Sequence, residues 1–132
     1  MPLYQDIAPP VPITFEAEDA VVLNRFVKLG AVGNGVAAVD DVTDVAMGIA
    51  VESADPAAGN SAASVWPFNR GGIVSVESAA AISLGDNIAP SANGRGQTAV
   101  ATQFTRGVAL AAAGGAGEII PMLIQVEEVV IP

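Results

Sequence analysis

Asp40, Asp41 and Asp44 form the densest group of carboxylates in the chain, and oxygen ligands this close together are the chemistry of a hard cation such as calcium. The alternating ligands, the glycine and the distal glutamate of a calcium loop are not matched. The group therefore reads as a solvated acidic turn. Glu127-Glu128 offers a carboxylate pair of the kind that shares acid–base work. Beside the apolar tail Val129, Val130 and Ile131 it reads instead as a charged strand end that discourages edge pairing. The chain has no histidine, so proton transfer near neutral pH would fall to such a carboxylate or to Lys28 with a strongly shifted pKa. With cysteine also absent, no Ser-His or Cys-His pair, thiolate metal site or disulfide framework can form.

Two segments, Gly33 to Ala38 and Gly94 to Ala99, fit the loose dinucleotide pattern Gly-x-Gly-x-x-Ala. That chemistry needs a strand before the turn and a helix after it, whose N-terminus holds the pyrophosphate. Neither segment opens a plausible helix, and both read as hairpin loops. The phosphate-loop pattern is missing, since Lys28 precedes Leu29-Gly30. The expectation is a protein that is not an enzyme and that uses no cofactor and no metal. Trp66 is the single tryptophan, followed by Phe68 and Arg70. It is either a core or edge aromatic, or an anchor in a protein–protein contact, where Trp and Arg dominate the energy.

The elements that carry these residues come from a motif stated twice. Met47-Gly48-Ile49-Ala50-Val51, a small-residue loop and Ala63-Ser64-Val65-Trp66-Pro67 are echoed by Arg106-Gly107-Val108-Ala109-Leu110, a Gly-rich loop and Ile119 to Ile124. Leu29-Gly30 and Leu84-Gly85 precede the two copies, giving a period of about 55 to 59 residues. Short runs punctuated by Gly, Asn and Pro predict strands over 21–23, 26–29, 36–39, 45–51, 62–68, 73–77, 84–88, 97–101, 104–110 and 118–126. Ser78 to Ser83 is the one place where a helical turn is allowed. The fold class expected is all-β: a small barrel or sandwich of two similar halves, with at most one short helix. Residues 1–15, with Pro2, Pro9, Pro10 and Pro12, read as an extended arm, and residues 16–132 as one β-domain with a short apolar tail. The arm carries Leu3, Tyr4, Ile7, Val11, Ile13 and Phe15, more apolar surface than a loose terminus needs. These six are its candidate contact residues, with Trp66, Phe68 and Arg70 as a second patch.

A chain of 132 residues can bury about two-thirds of its unfolded surface. However, 25 of its apolar residues are alanine and only 5% of residues are aromatic, so each buried residue contributes little. Oligomerisation or docking on a partner is expected to supply the rest. Fourteen acidic against five scattered basic residues give a net charge of −9, which disfavours nucleic acid as a partner. No start pattern of a secretory signal and no run of 18 apolar residues occurs, so no membrane is expected and the site of synthesis is read as a host cytoplasm.

Gly48-Ile49-Ala50-Val51, the stretch Ala79 to Ile88, Thr105-Arg106-Gly107-Val108-Ala109-Leu110-Ala111 and the strand Ile119 to Val126 resemble the capsid decoration proteins of tailed bacteriophages, also called cement or head-stabilising proteins. The resemblance spans roughly Val21 to Val126. It implies a small barrel-like domain on the outside of an expanded icosahedral shell, clamping neighbouring major capsid subunits. It also implies a homo-oligomer, with a trimer favoured and a dimer possible, and it brings no catalytic residues. Other self-assembling virion parts (a tail tube, a fibre, an adhesin domain) are the alternative. A small enzyme or ligand-binding barrel is a third reading, and it requires an apolar pocket with converging carboxylates.

Overall fold

The computed structural model describes residues 12–101 and 103–130, with side chains of the last strand described through residue 125. Ten strands follow one another: β1 (Ile13–Ala17), β2 (Phe26–Leu29), β3 (Gly35–Ala38), β4 (Ala46–Ala50), β5 (Ala62–Pro67), β6 (Ile73–Glu77), β7 (Asn87–Pro90), β8 (Gly96–Thr98), β9 (Phe104–Ala109) and β10 (Ile119–Val130). The first five close into a barrel in the order β1-β3-β2-β4-β5. The last five form a sheet in the order β6-β10-β9-β7-β8. The all-β expectation holds. The only helical pieces among the described residues are single 3-10 turns at Pro56–Ala58 and Phe68–Arg70. Ser78 to Ser83 is not helical. Ser78 bridges Gly96 and Ile82 bridges Ala113, because both side chains are drawn into the core.

The two halves have the same topology and register. Ile13 opposes Val65 as Val74 opposes Met122, and Glu16 opposes Ala62 as Glu77 opposes Ile119. Val27 opposes Gly48 as Ile88 opposes Gly107, and Ala50 opposes Val65 as Ala109 opposes Met122. The offset between equivalents is 61 in the first two strands (13 to 74, 27 to 88). It falls to 57 in the fifth (65 to 122), because the second half has shorter loops. This corrects one alignment of the repeat. Leu84-Gly85 is the counterpart of Leu23-Asn24, not of Leu29-Gly30. Asn24 and Gly85 both take positive φ (66° and 86°), and their N–H groups bond the carbonyls of Ala50 and Ala109 at 2.8 and 2.9 Å.

Burial repeats with register. Ala17, Val21, Val27, Val36, Ala50, Ala54, Ala63 and Val65 fill the first barrel. Their counterparts Ser78, Ile82, Ile88, Gly96, Ala109, Ala113, Ile120 and Met122 are all buried in the second half. The small residues are set by close strand approach. A Cβ on Gly48 would lie 2.6 Å from the Trp66 carbonyl oxygen and 2.7 Å from Val65 Cγ1. One on Gly107, its counterpart, would meet Met122 and, at 2.8 Å, the Leu123 carbonyl oxygen. The parallel β1–β3 pairing that closes the first barrel shrinks to the single Ser78–Gly96 bridge in the second.

A second apolar cluster joins the halves. It gathers Phe26, Val39, Ala46, Ile49 and Phe68 from the first with Val74, Val76, Ile88, Met122 and Ile124 from the second. Polar contacts cross the same seam. Glu77 holds Arg25 through Nε at 3.1 Å and lies 2.6 Å from Arg95 Nε.

The sequence reading missed β1. Ile13 and Phe15 are not arm but strand, paired with β5 on one side, while Glu16 and Ala17 pair with β3 on the other. Four nearby prolines hid this, yet all of them precede Ile13, so no strand hydrogen bond is lost. Val129 and Val130 are likewise not tail but part of β10, opposite Thr105 and Phe104.

Candidate docking surface

The charged side chains that could do chemistry are occupied in holding turns. Asp41 Oδ1 accepts the Thr43 amide at 2.8 Å, and Asp44 Oδ2 accepts the amides of Asp40 and Asp41 at 3.1 Å each. Lys28 Nζ reaches Asp40 at 2.8 Å and Asp44 at 3.0 Å. Glu18 accepts the amides of Ala31 and Val32, Asp55 that of Ala57, Asp86 that of Ser83 and Glu118 that of Gly115. A carboxylate that accepts amide donors in a turn satisfies backbone groups that strands leave over. The acidity of the chain is thus partly structural, which spacing alone did not reveal. Among the described residues, no group of three or more His, Cys, Asp or Glu side chains is placed to hold a metal. The two Gly-x-Gly-x-x-Ala segments supply the β2–β3 and β7–β8 hairpin turns, with Asn34 and Gly94 at φ 60° and 79°.

The Lys28 cluster sets a pH dependence. Its hydrogen bonds to Asp40 and Asp44 hold the Lys28 ammonium well above the usual lysine range. Burial works against ionisation of Asp44, but Lys28 and the Asp40 amide overcome it and keep its carboxyl below the usual 3.8. The Thr43 amide does the same for Asp41. A depressed carboxyl stabilises the fold above its unfolded pKa and stops doing so as pH falls through its folded value. A raised lysine stabilises below its unfolded pKa and stops as pH rises through its folded value. Stability is therefore expected to be flat from about pH 5 to 9 and to fall below about pH 4 and above about pH 11. Lys28→Met should flatten the alkaline limb in urea titrations while costing under about 1 kcal/mol at pH 7, since Asp40 is open to water. An alkaline limb unchanged in the variant would show that Lys28 does not cause it.

The predicted contact residues separate. Leu3, Tyr4, Ile7 and Val11 lie outside the described residues. Ile13 and Phe15 come together at the open end of the first barrel with Leu29, Met47 and Pro67, around a hollow of about 450 Å³. Trp66 is half-buried against the joint core, and its Nε1–H donates to the Gly71 carbonyl at 3.0 Å. Phe68 is not a surface contact. It has no exposed area, because the 3-10 turn at Phe68–Arg70 folds its ring inward. There it meets Phe26 edge-on at 5.8 Å, with the Arg106 guanidinium 4.6 Å above its ring. Arg70 is exposed on the same turn. The proposed second patch therefore does not exist as a unit.

The structure offers another apolar surface in its place. Ile73 and Leu123 oppose each other on β6 and β10 at 60% and 44% exposed, and Ile119 shares their face of β10. Leu123 is the counterpart of Trp66. In the first half this position is covered by the second half, and in the second half it is open. Strand alternation in β10 was legible in the sequence, but which of its two faces stayed uncovered was not. Among the described residues no helix is long and apolar enough to cross a membrane.

No protein-family model matches the chain, and no curated protein sequence matches it. Among solved structures, the head fiber gp8.5 N base of bacteriophage phi29 is similar with a TM-score of 0.64 and 17% identity, covering 90% of this chain and 97% of that one. The two share a fold.

Proposed function

We propose that this chain is a structural component of a tailed-phage virion that docks on the outside of the head and braces neighbouring major capsid subunits. The observation that carries the reading is the whole-length fold shared with a phage head fiber base. It agrees with the resemblance of the sequence to capsid decoration proteins. Bracing needs no reaction, and the carboxylates occupied in turns are in keeping with a non-enzyme. The net charge of −9 favours the outer face of the shell, since the inner face confronts DNA of the same sign. Ile13 with Leu29, and Ile73 with Leu123, supply apolar surface for a homo-oligomer, a trimer foremost, and for the major capsid protein.

A second reading is the base of a head fibre, which assembles mainly with itself. It is favoured by the printed identity of the structural neighbour. Both readings place the protein on the head, and one experiment separates them. Purified protein is added to expanded heads that lack it, and the heads are sedimented and then heated. Co-sedimentation with a raised temperature of head rupture supports bracing. Co-sedimentation at a few sites per head with unchanged rupture supports the fibre base. Failure to co-sediment with any tailed-phage head overturns both. Deleting residues 1–12 is expected to leave a folded protein with at least tenfold weaker head binding, and unchanged binding would remove the arm from the contact.

A further inference from the structure

The two halves differ most at one end, where β1 and β6 begin. In the second half that end is covered. Val74 and Val76 are 7% and 0% exposed there, and Pro90 is buried. Phe68, six residues ahead of Val74, packs in the same apolar cluster, on the turn that leads into β6. In the first half the equivalent positions are open. Ile13 is 37% exposed, Leu29 is 68% exposed, and Phe15 is only half-buried, around the hollow of about 450 Å³. No chain segment before β1 is described that could play the part Phe68 plays before β6.

We propose that Ile7 fills this hollow within its own chain, as the first-half counterpart of Phe68. The spacing is the same, since Ile7 lies six residues ahead of Ile13 as Phe68 lies six ahead of Val74. Ile13 itself lines the hollow, so the connecting segment starts at its rim. Six extended residues reach about 20 Å, ample to fold back. The route cannot copy that of the second half. Gly71 and Gly72 take φ 66° and 96°, and Pro10 and Val11 stand in their places. Proline fixes φ near −65° and a branched residue avoids positive φ, so the return is made by the Pro9-Pro10-Val11-Pro12 segment in extended form. The anchor leaves Leu3 and Tyr4 beyond it, free to reach a neighbour. The proposal does not depend on the virion reading and is tested on isolated protein.

The chain has no cysteine, so an introduced pair is unique. Ile7→Cys with Leu29→Cys in the full chain is oxidised under dilute conditions and read by mass and by non-reducing electrophoresis. The expected product is an intramolecular disulfide in most molecules, with little from the control pair Ile7→Cys and Leu84→Cys, because Leu84 lies on the other half. Disulfide-linked dimers alone would mean that a second copy supplies the plug, and this overturns the proposal, as does no reaction above control. The second measurement is the stability of full-length Ile7→Asp. The folding constant should fall about tenfold to a hundredfold, the loss expected for unburying one large aliphatic side chain, while Ile7→Leu stays near wild type. An internal disulfide with unchanged Ile7→Asp stability would describe a tethered but undocked arm, and also overturns the proposal.

Discussion

Phe68→Ala is expected to destabilise the protein by about 3 to 5 kcal/mol, the cost of emptying a fully buried aromatic site. The reason is position. Phe68 belongs to the one cluster that draws on both halves, against Phe26 on one side and beneath Arg106 on the other. Its loss opens a cavity in that seam and leaves the Arg106 guanidinium facing a void. A domain of this size has roughly 5 to 15 kcal/mol in total, so the variant should melt at least 10 °C lower or fail to fold above ambient temperature. Phe68→Leu should recover more than half of the loss, because it refills most of the volume. Urea unfolding of both variants measures the effect. A cost below about 1 kcal/mol for the alanine variant would mean that the seam does not hold the halves together.

Gly48→Val is the second large effect. Any side chain at Gly48 runs into the Trp66 carbonyl oxygen, which is backbone and cannot step aside without moving β5. Overpacking of this kind costs about 1 to 3 kcal/mol where neighbours can adapt, and more where they cannot. The effect should reach 3 kcal/mol or more here, with loss of soluble expression as a second sign. Gly33→Val is the control, since nothing lies within 4 Å of a Cβ there and φ is not positive. It should change stability by less than about 1 kcal/mol. Equal losses at the two glycines would show that valine in general, rather than the close approach of β4 and β5, is what the fold rejects.

Much of the scaffold could be read from residue types. Alternation marked β6 and β10, the Asn34 and Gly94 turns marked two hairpins, and the repeated Gly-x-Ala runs at Gly48 and Gly107 marked two like halves. These signals are local, and local geometry is what composition records. The strand β1 was hidden because its partners β5 and β3 lie far along the chain, while the prolines beside it pointed to an arm. The true offset of the repeat was hidden too, since Leu84-Gly85 matches Leu29-Gly30 by letter but Leu23-Asn24 by backbone conformation.

The candidate surface was less legible than the fold. Trp66, Phe68 and Arg70 are neighbours in sequence, yet one short turn buries Phe68, half-buries Trp66 and leaves Arg70 outside. Conversely, Leu29, Met47 and Pro67 are far apart in sequence and meet Ile13 and Phe15 only when the barrel closes. By itself the sequence determined an all-β chain in two similar halves, acidic and lacking histidine and cysteine, because turn chemistry, alternation and composition are properties of residues and their near neighbours. Tertiary structure alone decided which carboxylates hold turns, which aromatic ring joins the halves and which barrel end stays open. Each of those depends on groups brought together from distant positions, and burial is a property of the whole packing rather than of any one segment.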